Sequence, residues 1–205
     1  EEVEAIDSRT NYIPINSGEE IIPFNVKRMI FFDIETFIDE ENDGIEQIPY
    51  AIGFINMADG KYQLYEGKNC MVNFVKYLLT KQNKYVCAYN GSGFDFRFFL
   101  SELDKQGQKI RNPVIANNYI LSAKFGNFKT PNVFWDICRF TLSSLKNAGK
   151  SFKLEIEKGD FNHNLMKCWN DVKKYKYKQP DGEEGWKPYL EKDVLVLRDL
   201  FIAFN

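Results

Sequence analysis

Asp33, Glu35, Asp95 and Asp193 are the side chains of this 205-residue chain most suited to chemistry. Each sits where a predicted strand or helix would hold it rigidly. Gathered in one place, four carboxylates form a hard-oxygen cage suited to Mg2+ or Mn2+. Such a cage can support hydrolysis of phosphodiester bonds.

The first pair lies in the run Phe31-Phe32-Asp33-Ile34-Glu35-Thr36, directly after Met29-Ile30. The continuous apolar stretch suits a strand buried on both faces. Residues two apart on a strand point to the same side, so Asp33 and Glu35 project into one small volume. Two like charges at ~4 Å and an effective dielectric near 20 repel by roughly 4 kcal/mol, which a bound cation would relieve. Alone, the D-x-E spacing equally suits a strand that ends at the surface with two solvated acids.

Asp95 follows a second predicted strand, Lys84 to Asn90, and the small turn Gly91-Ser92-Gly93. It falls in the first turn of a helix opened by Phe94-Asp95-Phe96, where the helix dipole favours an anion. An ordinary first-turn aspartate has the same signature. Asp193 lies on a predicted helix from about Trp186 to Phe204, with Pro188 near its start, where a missing N–H is harmless. Tyr189 is four residues before Asp193, so a phenol and a carboxylate share one face. A core tyrosine beside a surface aspartate accounts for that spacing too.

The elements that must hold these groups are legible in outline. Tyr50 to Ile55 and Lys61 to Tyr65 read as a hairpin around Asp59-Gly60. Cys70 to Thr80 reads as an amphipathic helix with Val72, Val75, Leu78 and Leu79 inward. Tyr119 to Phe125 and Asn132 to Ile137 read as a second hairpin, and a short helix is expected near Thr141. Residues 159–185 are polar and loop-rich. This order of strands and helices predicts an α/β fold with a mixed central sheet flanked by helices. Residues 1–26, with Pro14, Gly18 and Pro23, read as an N-terminal extension, and residues 27–205 as one domain.

Composition narrows the class. The chain is 44% hydrophobic and 16% aromatic, enough for a sizeable core. Its formal net charge of −2 argues against indiscriminate nucleic-acid binding, although an acidic metal cage would itself contribute to that total. The cysteines at 70, 87, 138 and 168 form no C-x2-C pair, and Cys87 and Cys138 read as reduced core residues. The lone His163 cannot build a zinc site. No apolar stretch reaches the roughly 20 residues needed to span a bilayer, so no membrane partner is expected. The basic run Lys173-Lys174-Tyr175-Lys176-Tyr177-Lys178 suits phosphates and stacked bases, and a solvated loop suits it equally.

Taken together, D-x-E, N-x3-F-D and Y-x3-D occur in an order that resembles the 3′–5′ proofreading exonuclease domain of family B DNA polymerases, in the subclass with tyrosine in the third motif. Sixty residues separate Glu35 from Asp95 and 98 separate Asp95 from Asp193, spacings that fit such a domain. Thr141-Leu142-Ser143-Ser144-Leu145 and Lys158-Gly159-Asp160-Phe161 resemble two short motifs of the protein-primed branch, found in phages, adenovirus-like viruses and organellar linear plasmids. The resemblance covers residues 27–205. It implies an RNase H-like three-layer fold and a two-metal exonuclease acting on single-stranded DNA 3′ ends. It further implies Asp33, Glu35, Asp95 and Asp193 as metal ligands, Tyr189 orienting water and Lys158 offsetting phosphate charge. Asn90, Phe94, Thr141 and Leu142 would grip the unpaired strand.

A polymerase domain or subunit and a terminal protein are the further partners this resemblance suggests. The chain begins at Glu1 and stops 12 residues after Asp193, before any nucleotide-adding motif, so it is expected to be either a piece of a polymerase or a free-standing relative. Two other readings remain at this point. One is a catalytically idle structural or recruitment module, and the other is an exoribonuclease, since metal chemistry alone does not distinguish the 2′-OH.

Overall fold

The structure is a computed structural model that describes residues 25–39, 46–117, 119–141 and 143–204. The extension expected at residues 1–26 falls almost wholly outside the described residues, and Leu142 lies outside them too.

Among the described residues seven strands form one mixed sheet. They are β1 (Met29–Ile38), β2 (Gln47–Asn56), β3 (Lys61–Glu66), β4 (Tyr85–Ala88), β5 (Arg111–Ala116), β6 (Tyr119–Phe125) and β7 (Asn132–Asp136), in the spatial order β3-β2-β1-β4-β7-β6-β5. β4 runs parallel to β1 and β7, and the remaining pairs are antiparallel. The helices are α1 (Cys70–Leu79), α2 (Asp95–Lys105), α3 (Cys138–Thr141), α4 (Leu145–Ser151), α5 (Trp169–Lys174) and α6 (Trp186–Phe204).

β1 is the centre of the molecule because its side chains are apolar on both faces. Ile30, Phe32 and Ile34 pack with Phe74 of α1 and Phe96 and Phe99 of α2. Met29, Phe31 and Phe37 pack with Leu190, Val194 and Leu197 of α6 on the opposite side. The result is the three-layer α/β arrangement expected from the sequence. Phe99 lies against Phe134 with ring centroids 4.4 Å apart, and Phe125 stacks on Phe134 at 4.5 Å. Burying each such ring stabilises the fold by ~1.5–3 kcal/mol.

Several local expectations change. The inward face of α1 is Met71, Phe74, Val75 and Leu78, while Val72 and Leu79 sit half-buried at its flanks. Thr141 ends a short helix rather than starting one, and α4 begins at Leu145, where the Ser144 hydroxyl caps Asn147 N–H at 3.2 Å. β5, not anticipated, is an edge strand whose residues are almost all exposed, so it lacks the apolar signal of a buried strand. α5 interrupts the stretch read as loop. Cys70 and Cys87 are buried free thiols, whereas Cys138 is only partly buried. Among the described residues no helix is long and apolar enough to cross a membrane.

Candidate active site

Strand parity sets the first part of the site. Since Phe31 and Phe37 face α6, the alternation of β1 turns Asp33 and Glu35 toward that helix as well. Opposite Asp33 in the β1–β2 register stands Gly53. A Cβ on Gly53 would lie 2.6 Å from Tyr62 Oη and 3.0 Å from Leu190 Cγ. The bare backbone therefore lets α6 and Tyr62 close on the strand. A register shift at Glu35/Thr36, paired with Ala51 and Pro49, leaves Tyr50 as the extra residue of a β-bulge. Bulges re-aim neighbouring side chains, and this one falls beside Glu35.

On α6 the i, i+4 spacing brings Tyr189 and Asp193 to the face that meets β1, and both are buried. Asp95 is buried in the first turn of α2. Lys158 reaches in from the segment after α4. Its ammonium is bonded to Asp193 Oδ2 and stands 5.1 Å from the centroid of the Tyr189 ring.

Asp33, Glu35, Phe94, Lys158, Tyr189 and Asp193 line one cavity of about 180 Å³, together with Ile34, Thr36 and His163. Thr36, Phe94 and His163 also line a neighbouring groove of about 480 Å³ that extends past Gln47, Asn164 and Lys167. Asp95 does not line the cavity, yet the Asp33 charge raises it and its own charge raises Glu35. Asn90 and Thr141 stand outside both spaces, on the two segments described below.

The electrostatics are those of crowded acids. Burial, then the Asp193 charge, pushes the Asp33 carboxyl up to about 7. Glu35 is raised well above the usual range by burial, Asp33 and Asp193. Asp95 is raised in the same way by burial and Asp33. Burial also raises Asp193, although Lys158 and Tyr189 pull it back down. For Lys158, burial alone would lower the pKa, but Asp193 and Asp33 outweigh it and the ammonium is held more firmly charged.

These residues fit a divalent cation by donor type and by what they lack. Asp95 Oδ1 and Asp193 Oδ1 are buried without a hydrogen-bond partner among the described residues. An unsatisfied buried carboxylate oxygen is costly and calls for a positive partner. Among the described residues no three His, Cys, Asp or Glu side chains stand in ready ligand geometry. The bonded counter-charge in this structure is Lys158.

His163 is the site residue that the sequence reading missed. Its Nδ1 lies 3.4 Å from Glu35 Oε2, and its ring meets Tyr189 and Phe161 edge-on at 5.4 and 5.2 Å. Burial and Lys158 lower its pKa, so the ring tends to the neutral form. The available signal was its position five residues after Lys158, just beyond the short motif. Thr36, directly after the D-x-E pair, was overlooked in the same way. The basic run near 173–178 is partly structural. Lys176 is paired with Glu66 at 2.7 Å and lies 5.9 Å from the Trp186 ring, while Tyr177 is exposed.

Comparison with known proteins places the chain. Residues 75–205 match the family model for DNA polymerase type B, organellar and viral. A DNA polymerase of Kluyveromyces lactis is 31% identical over 200 residues, covering 92% of this chain and 20% of that protein. The fold matches Phi29 DNA polymerase complexed with single-stranded DNA, with a TM-score of 0.63, 20% identity, and coverage of 86% of this chain and 31% of that one. It also matches the same polymerase in its ternary complex with primer-template DNA and incoming nucleotides, with a TM-score of 0.64 and 17% identity over 85% of this chain and 30% of that one. This likeness bears out the RNase H-like α/β fold. The chain thus spans a minor part of the length of these relatives. The match over most of the sequence, on a seven-strand sheet with an acidic face, leads to one conclusion: the chain belongs to the type B DNA polymerases of the organellar and viral kind.

Proposed function

We propose that this domain is a metal-dependent 3′–5′ exonuclease that removes nucleotides from single-stranded DNA 3′ ends, as in proofreading. The observation that carries the reading is the convergence of Asp33, Glu35 and Asp193 with Lys158 and Tyr189 on one cavity that adjoins a larger groove. The fold neighbour solved with single-stranded DNA supports the choice of substrate.

Two Mg2+ or Mn2+ ions held by Asp33, Glu35 and Asp193, with Asp95 acting through water, would supply an activated water and neutralise charge at the scissile phosphate. The chain's own residues do the rest. The Tyr189 hydroxyl, beside Asp193, orients the attacking water by a hydrogen bond. The Lys158 ammonium turns from Asp193 toward the phosphate and stabilises its developing charge. Phe94, partly exposed where cavity and groove meet, offers a ring face to an unpaired base. Asn90 and Thr141 flank the path of the strand.

Cleavage of a 5′-labelled single-stranded DNA oligonucleotide with Mg2+ or Mn2+ tests this directly, beside an Asp33→Ala variant, an EDTA blank and a matched RNA. A ladder shortening from the 3′ end on DNA, absent in both controls, is the expected result. Faster loss of the RNA would assign the site to an exoribonuclease, and no cleavage by folded protein would leave a binding module.

A further inference from the structure

Asp136, the last residue of β7, is 1% exposed and takes no part in the carboxylate cage. Its Oδ1 accepts the backbone N–H of Asn90 and of Cys138, each at 3.0 Å. Its Oδ2 accepts the Ser92 N–H at 3.1 Å and the Ser92 hydroxyl. One buried carboxylate thereby pins two separate segments. The first is the turn from Asn90 to Asp95, and the second is the stretch from Cys138 to Thr141.

The pinned turn has a specific backbone shape. Asn90 has φ 60°, a left-handed backbone that L residues other than asparagine and aspartate seldom adopt. Further bonds from Gly93 N–H to Asn90 O at 3.0 Å and from Phe96 N–H to Gly91 O at 2.8 Å lead from that residue into α2. A second tie joins the same two segments. The Tyr89 hydroxyl is 2.5 Å from Thr141 Oγ1 and donates to Ser143 O at 2.6 Å.

We infer that Asp136 is a positioning residue: it fixes Asn90, Phe94 and Thr141 as one rigid grip on the single strand, in register with Asp95. The inference rests on the exonuclease reading above and deepens it. Asp136 lines neither the cavity nor the groove; it acts through the segments it holds, and its charge also raises Asp95. Four hydrogen bonds from backbone and hydroxyl donors to one buried carboxylate make a stiff joint.

Asp136→Asn is the informative change. The amide keeps one oxygen for Asn90 and Cys138 but turns a donor toward the Ser92 N–H. Tyr89→Phe, which cuts the second tie and leaves Asp136 intact, is its companion. Binding of a fluorescent oligothymidylate is measured by anisotropy with Ca2+ in place of Mg2+, and hydrolysis of the p-nitrophenyl ester of thymidine 5′-monophosphate reports on the cage without a strand. The expected result for Asp136→Asn is about tenfold weaker strand binding with ester hydrolysis within about twofold of wild type. Tyr89→Phe should move in the same direction by less.

Equal losses on strand and ester would overturn the inference, because Asp136 would then be acting on the cage or on the fold as a whole. Unchanged strand binding would overturn it too. In both cases the wild-type protein remains a nuclease. A wild-type domain that neither binds the strand nor hydrolyses the ester sinks the exonuclease reading, and this inference with it.

Discussion

Lys158 and Asp193 lie 35 residues apart in the chain, and the ammonium of one is bonded to the carboxylate of the other inside the acidic cavity. Asp193 is almost fully buried, and Lys158 is the ammonium bonded to it. The pair gives the crowded acids a counter-charge and holds an ammonium within reach of a phosphate in the cavity.

Lys158→Ala therefore has two expected effects. Removing a positive group aimed at the scissile phosphate should lower the single-turnover cleavage rate by roughly 10²–10³. Asp193 would also lose its partner, so the metal-free variant should melt below wild type at neutral pH, and added Mn2+ should close much of that gap. A variant that cleaves normally would show that Lys158 serves only as the counter-charge of Asp193.

The raised carboxyl pKa values give the metal-free domain a defined pH response. Asp33 moves from 3.8 to about 7, and Glu35, Asp95 and Asp193 are raised as well. In the interval between the unfolded and folded values the native state holds protons that the unfolded chain has released. Stability conferred by the protonated forms is full at low pH and is lost as pH rises through the folded values. In EDTA, Tm should be higher at pH about 5.5 than at about 8, and Mg2+ should raise Tm mainly at the upper pH. Differential scanning fluorimetry reads both, and a Tm that climbs with pH in EDTA would contradict the crowded-acid account.

Ligand and non-ligand changes should separate by magnitude. Asp33→Ala or Asp193→Ala should reduce cleavage by several orders of magnitude with the fold retained. Tyr189→Phe loses one hydroxyl and keeps its ring against Phe161 and His163, so a loss nearer tenfold is expected. Equal losses would give the tyrosine a larger task than orienting water.

His163→Ala removes the ring that stands between Glu35 and Tyr189, and kcat/KM on single-stranded DNA should fall about tenfold. His163→Phe keeps the edge-on contacts and should recover part of the loss. Wild-type kinetics for His163→Ala would return this residue to the solvated surface.

Gly53→Ala should destabilise the domain by ~1–3 kcal/mol, because its methyl would meet Tyr62 Oη at 2.6 Å. That hydroxyl is buried without a hydrogen-bond partner among the described residues, so Tyr62→Phe alone should be neutral or mildly stabilising. Combining the two should relieve part of the glycine penalty, and urea melts of the four proteins give the coupling.

What the sequence by itself determined was local and periodic. Strand parity put Asp33 and Glu35 on one side of β1, and helical spacing put Tyr189 and Asp193 on one side of α6. The hairpin at Asp59-Gly60 and the Gly91-Ser92-Gly93 turn before Asp95 were legible for the same reason, since each follows from backbone repeat and nearby residue type. The tertiary structure alone decided the rest. Lys158 and His163 come from an irregular segment whose side chains follow no repeat, so only packing against α6 aims them at Asp193 and Glu35. The β-bulge at Tyr50 depends on how β2 registers with β1, and β5 forms on an exposed edge where burial leaves no apolar imprint. Asp136 reads in sequence as an ordinary strand-end aspartate. It becomes a clamp only because the parallel pairing of β4 with β7 sets it beside Ala88, within reach of the turn at Asn90.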